Sequence, residues 1–307
     1  DATRRDNPSL LQYQQNIKTN YMGSCVLPIG SKPDFSNPAL CMSLESRKGE
    51  NLFIFGQKLD LALDLAETMT IAAGSQWGLA AQVVIVAPER NPSWLLAQEN
   101  WSILNRVLPA CSVISDIDAI ERLFQDAAKE REENSVPLLI VVFGLDEICD
   151  QMVRSAHKRK MAAVTQPQQQ SQSLPPLFSD PSLGAFQPFV GTQGELGDPR
   201  EFILQTIEWG PINNVHTCLV SPTTLNLRKI LGVTGMLDTS DLFAHRFATR
   251  AEQQRLSDIG MSSLAFKLSD DDAPVKMVYH APDGQETVFR PYEVRGILHD
   301  LATQAVK

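Results

Sequence analysis

NLFIFGQKLDLALDLA, residues 51–66, is the stretch on which the fold turns. Its first five residues are almost continuously apolar, the texture of a strand covered on both faces. Gly56 ends that run, and a helical spacing follows at Leu59, Ala62, Leu63, Ala66 and Thr70. The same strand texture recurs at Gln82–Ala87 (QVVIVA), Leu138–Phe143 (LLIVVF) and His216–Ser221 (HTCLVS), with helix candidates between. In one of these, Ile117, Ile120, Leu123, Phe124 and Ala127 form a single apolar stripe, and Ser115 with Asp118 resembles a capping box. Strands alternating with helices predict crossover connections and a three-layer α/β fold with a mainly parallel sheet.

Past Leu242 the strand candidates lie closer together: LFAHRFA, SLAFKL, then VKMVYHA and ETVFRP. The last two, joined across Pro282, Asp283 and Gly284, predict an antiparallel hairpin. Val294, Ile297, Leu298 and Leu301 predict a final helix from Tyr292. The stretch from Thr165 to Pro199 has no lysine or arginine and is dominated by glutamine, proline, serine and glycine, which predicts a mobile insertion. Its Phe178, Phe186 and Phe189 are candidates for docking on a partner or on the parent domain. The organisation expected is a lead segment over 1–22 and one domain over 23–307, interrupted at 165–199.

The 307 residues, 43% hydrophobic and 21% charged, are enough for a substantial core. Twenty-seven Lys and Arg against 36 Asp and Glu give a net charge of −9, which argues against a broad basic face for phosphate backbones. Cys25, Cys41, Cys111, Cys149 and Cys218 form no CxxC pair and read as thiols of a reducing cytoplasm. No run is long and apolar enough to span a bilayer, and the first twenty residues hold no signal-peptide core. The chain opens on Asp1, which fits an excised piece of a longer cytoplasmic polypeptide, whether or not the whole is membrane-associated.

The turn at Gly56 has the layout of a phosphate-binding loop, whose chemistry requires G-x-x-x-x-G-K-[ST]. Backbone N–H groups cradle phosphate, the lysine reaches the β/γ oxygens and the hydroxyl holds Mg²⁺. Counted from Gly56, the second glycine, the lysine and the hydroxyl positions are Leu61, Ala62 and Leu63. Asp60 and Asp64 add negative charge near an anion site. The strand LLIVVF would have to deliver an acidic pair for Mg²⁺ and the attacking water, yet its end holds Phe143 and Gly144. Asp146 and Glu147 follow, where carboxylates suit the start of the next helix. Lys58 is the one lysine in the loop. Gly74, Ser75, Gln76, Trp77 and Gly78 place serine one position early for a nucleophile elbow. His157, His216, His245, His280 and His299 show no metal-ligand spacing and read as core or surface residues. Arg154, His157, Lys158, Arg159 and Lys160 form a basic run, a solvated helix face or a nucleic-acid contact.

Taken together, several segments resemble the motor domain of the FtsK/SpoIIIE family, in the FtsK/HerA group of P-loop ATPases. They are VLPIG (Val26 to Gly30), NLFIFG (Asn51 to Gly56), the step Val107, Leu108, Pro109, then Asn214, Val215, His216 before TCLV, and Ser221, Pro222, Thr223, Thr224. Phe243 to Gly260 resembles that family's arginine-led strand and short helix, and the order is collinear from Gly23 to Val294. The departures are an alanine after Pro109 where the family has histidine, and the missing lysine and acidic pair. The resemblance implies a RecA-like P-loop scaffold. It also implies ring-forming motors that hydrolyse ATP with Mg²⁺, pull DNA or serve type VII secretion, and often include degenerate tandem copies. It makes Gly56, Lys58, Asp146 and Glu147 vestigial nucleotide positions, and Arg246 or Arg250 candidates to reach a neighbour's nucleotide or to hold a structural ion pair. Three readings follow: a catalytically inactive ATPase-like module, a translocase or secretion component with no cofactor, that packs on other modules or sister subunits; a divergent ATP-binding motor using Lys58, Asp146 and Glu147; and a non-hydrolysing DNA-binding module.

Overall fold

The computed structural model describes residues 25–33, 38–56, 58–77, 82–107, 111–129, 136–165, 198–223, 225–234, 238–269 and 276–292. The runs expected as strands form β3 (Leu52–Phe55), β4 (Gln82–Val86), β6 (Leu138–Phe143) and β7 (Val215–Ser221), joined in parallel by β5 (Cys111–Ile114) and β8 (His245–Ala248). The second half of the sheet is antiparallel, with β1 (Cys25–Ser31), β2 (Ala39–Leu44), β9 (Met277–His280) and β10 (Glu286–Pro291). The order is β2-β1-β10-β9-β8-β3-β7-β6-β4-β5. The chain is therefore α/β with a mixed, mainly parallel sheet.

Two helices, α1 (Leu59–Trp77) and α2 (Pro92–Val107), cover one face. On the other lie α3 (Ile117–Ala127), α4 (Leu145–Thr165) and α5 (Arg200–Trp209). The period of two along β3 sorts its side chains accordingly: Leu52 and Ile54 join the first core, Phe53 and Phe55 the second. Burial on both sides is why these strands read as continuous apolar runs. Short helices α6 (Leu227–Ile230), α7 (Thr239–Leu242) and α8 (Gln253–Asp258) complete the second face.

The hairpin β9–β10 forms as expected, closed by Ala281 N–H to the Gln285 carbonyl at 2.9 Å, with Gly284 at φ +83°. Three local expectations need correction. The run SLAFKL is no strand, because the Ser262 hydroxyl accepts the Leu264 N–H at 3.1 Å and turns the chain into a 3-10 turn at Ala265–Lys267. The start of α3 is capped by Asp116, which accepts from Ala119 N–H at 2.9 Å, rather than by Ser115 and Asp118. The hairpin β1–β2 also extends the sheet where no strand pair was expected. Of the insertion expected at 165–199, residues 166–197 lie outside the described residues, as do the lead segment expected over 1–22 and the residues after Tyr292 where a final helix was expected.

Candidate functional site

The chain leaves β3 for β4 across β7 and β6, whereas β8 arrives on the opposite side of β3. Strand order reverses at β3, and in open α/β sheets the crevice at the carboxyl end of such a point is the ligand position. Gly56 lies there. Its N–H donates to the Ser221 carbonyl at 3.1 Å, and Thr249 N–H donates to the Phe55 carbonyl at 3.1 Å, so the ends of β3, β7 and β8 converge on it. A Cβ on Gly56 would lie 3.1 Å from Thr249 Cγ2 and 3.3 Å from Ala62 Cβ.

Only Gly56, Gln57 and Lys58 separate β3 from α1. The helix begins early, and Leu61 and Ala62 donate their N–H groups to the Lys58 carbonyl at 3.2 and 3.4 Å. Leu61, at the second-glycine position, is therefore already helical. Ala62 and Leu63, at the lysine and hydroxyl positions, are 0% and 3% exposed and belong to the core between α1 and the sheet. Asp60, exposed in the first turn of α1, supplies the negative charge that a helix N-terminus attracts. Lys58 is half-buried in the loop.

At the end of β6, Phe143 is fully buried, 6.0 Å from the Trp94 ring and 5.9 Å, edge-on, from Trp101. Gly144 follows at φ +66°, a conformation that selects glycine, and a Cβ there would push aside the Asn91 amide, whose Nδ2 lies 2.4 Å away. Asp146 and Glu147 occupy the first turn of α4, Asp146 exposed and Glu147 accepting from Gln151 at 3.1 Å. They sit past the end of β6, two strands or roughly 10 Å from β3. Gly56 and Lys58 thus share one edge with Asp146 and Glu147, two strands apart.

The two arginines separate. Arg250 is exposed just beyond β8, at the carboxyl edge. Arg246 lies toward the other end of β8 and is 5% exposed. It donates to the carbonyls of Phe243 and Gly260 at 3.2 and 3.4 Å, and burial lowers its pKa. Its guanidinium is turned into the fold, a placement that suits the structural one of the two roles weighed for it in the sequence. Four thiols, Cys25, Cys111, Cys149 and Cys218, are pushed up to about 12 by burial and are not nucleophiles at neutral pH.

The densest polar chemistry lies at the opposite, amino edge of the sheet and was not singled out in the sequence. Glu50, just before β3, accepts from His245 Nε2 at 2.7 Å and from Arg47 Nε. His245 Nδ1 meets the Tyr279 hydroxyl at 2.8 Å, and His216 Nδ1 donates to the Glu50 carbonyl at 2.7 Å. Asn51 donates to the Ile207 and Leu242 carbonyls and accepts Thr217 N–H at 2.8 Å. This network ties β3, β7, β8 and β9 to two helix ends. With Glu50, His216 and His245 all buried, it serves positioning rather than turnover. The polar triplet Gly49, Glu50, Asn51 immediately before an apolar strand was its one sequence signal.

Burial pulls His216 down to about 4. Burial pushes Glu50 up, but hydrogen bonds from His245 and Arg47 outweigh it and leave that carboxyl below its ordinary value. Both shifts act in one direction. His216 takes a proton near 6.5 when unfolded but resists it when folded, so its contribution is intact above pH 6.5 and lost as pH falls toward 4. Glu50 adds a further loss below its unfolded pKa near 4.5. Denaturant titrations are expected to show about 3 kcal/mol less stability at pH 4 than at pH 7 from His216 alone. His216→Asn should flatten that slope; an unchanged slope would contradict the assignment.

No protein-family model matches the sequence, and no curated protein does. Among solved structures, the chain is similar to the cytoplasmic domain of the type VII secretion ATPase EccC of Thermomonospora curvata. The TM-score is 0.53 at 11% identity, over 92% of this chain and 31% of that one. The two share a fold. A second structure of Thermomonospora curvata EccC, ATPases 2 and 3 in complex with a signal sequence peptide, gives 0.47 at 10% identity over 92% and 46% of the two chains. The genome packaging NTPase B204 of Sulfolobus turreted icosahedral virus 2, in complex with ATP-gammaS, gives 0.40 at 10% over 78% and 97%. The present chain spans about a third of the EccC cytoplasmic domain. Among the described residues no helix is long and apolar enough to cross a membrane, and no group of three or more His, Cys, Asp or Glu is placed to hold a metal ion.

Proposed function

We propose that this chain is a non-catalytic ATPase-like module of a larger translocase- or secretion-type protein, acting by packing against other modules or sister subunits. The observation that carries this reading is the inward turn of Ala62 and Leu63, the two positions whose side chains would bind phosphate and Mg²⁺. A three-residue loop leaves too little backbone to wrap a triphosphate, and Asp60 already provides the negative charge at the helix start. Phe143 places an aromatic ring where an acid would order Mg²⁺. The residues present do not fit ATP and Mg²⁺, so no catalytic step is assigned to Lys58, Asp146, Glu147 or Arg250.

Isothermal titration with ATP and Mg²⁺ is expected to give only the heat of dilution, and phosphate release should equal that of a buffer blank for both the native chain and Lys58→Ala. Micromolar binding, or turnover that disappears in Lys58→Ala, would establish the divergent motor instead.

A further inference from the structure

Helix α4 carries a second pattern, independent of the nucleotide edge. Its inner side is buried through Ile148, Cys149, Met152 and Ala156, and Ser155 and Arg159 bond toward α3 at Asp118 and Glu121. At 3.6 residues per turn the remaining face collects Asp146, Asp150, Val153, Arg154, His157, Lys158 and Met161, all exposed. Val153 is 38% and Met161 59% exposed. Charge along this face is segregated, with acids in the first half and bases in the second.

A helix dipole favours that polarity, but the spacing is costly. Asp146 and Asp150 are like charges four residues apart, and so are Arg154 and Lys158, the arrangement that repels on a single helix. None of the four makes a hydrogen bond or ion pair among the described residues. Arg200, whose charge Asp150 feels, is committed to Asp198. Among the described residues the acidic half of this face bonds no cation and the basic half no anion, so each offers what the other can take.

We infer that α4 is a self-complementary docking face for a second copy of this chain, packed antiparallel about a two-fold axis that crosses the exposed face between Asp150 and Arg154. Asp150 then faces Arg154 of the second copy and Asp146 faces its Lys158, each pair repeated across the axis. Val153 flanks this contact, where it loses part of its exposure. The 21 residues of α4 span roughly 30 Å, so the contact is small and belongs to the weak, salt-sensitive class.

Sedimentation velocity on the whole chain over a concentration series decides this. A dimer is expected at low salt, with its dissociation constant rising about tenfold or more in concentrated NaCl. Asp150→Arg and Arg154→Asp should each shift the chain to monomer, and D150R/R154D together should restore the dimer. Both positions of exchange are exposed, and circular dichroism checks that each variant folds. A monomer at every concentration, singles that dimerise normally, or a double exchange that fails to restore association would each overturn the inference. So would a monomer whose duplex DNA binding is lost in Arg154→Asp, which would assign the face to nucleic acid.

Discussion

Phe143→Asp is expected to prevent folding. The substitution places a carboxylate where the end of a strand would hold a metal-ordering acid, and tests whether that position has any polar capacity. Phe143 is buried against Trp94 and Trp101, so removing its ring costs about 3–5 kcal/mol through lost burial and the cavity left behind. Burying a carboxylate among those rings adds several kcal/mol more, and the sum reaches the whole stability of an ordinary domain, roughly 5–15 kcal/mol. Phe143→Leu, which keeps an apolar side chain, should fold with a loss of about 1–2 kcal/mol. The comparison is made by soluble yield and thermal melting. A Phe143→Asp chain that melts close to the parent would mean that the pocket accepts an acid, and the non-catalytic reading would lose a main support.

Glu50→Ala is expected to cost about 3–5 kcal/mol in urea unfolding at neutral pH. The carboxylate is the shared acceptor of His245 Nε2 and Arg47, and its removal strands the buried His245 with no acceptor at that nitrogen. Arg47 is about half exposed and can turn to water, so most of the loss comes from the His245 side. Glu50→Gln retains an oxygen acceptor and should lose roughly half as much. A loss below about 1 kcal/mol for the alanine variant would show that the amino-edge network does not hold β3 against β8.

What was legible in the sequence followed from repetition along the chain. LFIF, QVVIV and LLIVVF are buried on both faces, which leaves a run of apolar residues that only a covered parallel strand explains, and all three are parallel strands here. The β9–β10 hairpin was legible because its turn residues are local. SLAFKL was misread because its apolar content fits a strand, while the hydroxyl of Ser262 two residues away decides a turn. The resemblance of ordered segments pointed to the fold that the EccC comparison bears out, spacing from Gly56 marked Ala62 and Leu63, and the end of LLIVVF marked Phe143.

By itself, then, the sequence determined the doubly covered strands β3, β4, β6 and β7 and which side chains stand at the phosphate positions, because periodicity and spacing are properties of neighbours in the chain. Only the tertiary structure decided that Ala62 and Leu63 face the core, that Arg246 turns inward, and that Glu50, His216, His245 and Tyr279 form one network. The contacts of the network join residues 34 to 195 positions apart, whereas Arg246 bonds to carbonyls 3 and 14 positions away. No local pattern encodes such distances; the register of β3 between β7 and β8 sets them, and that register exists only once the sheet has closed around it.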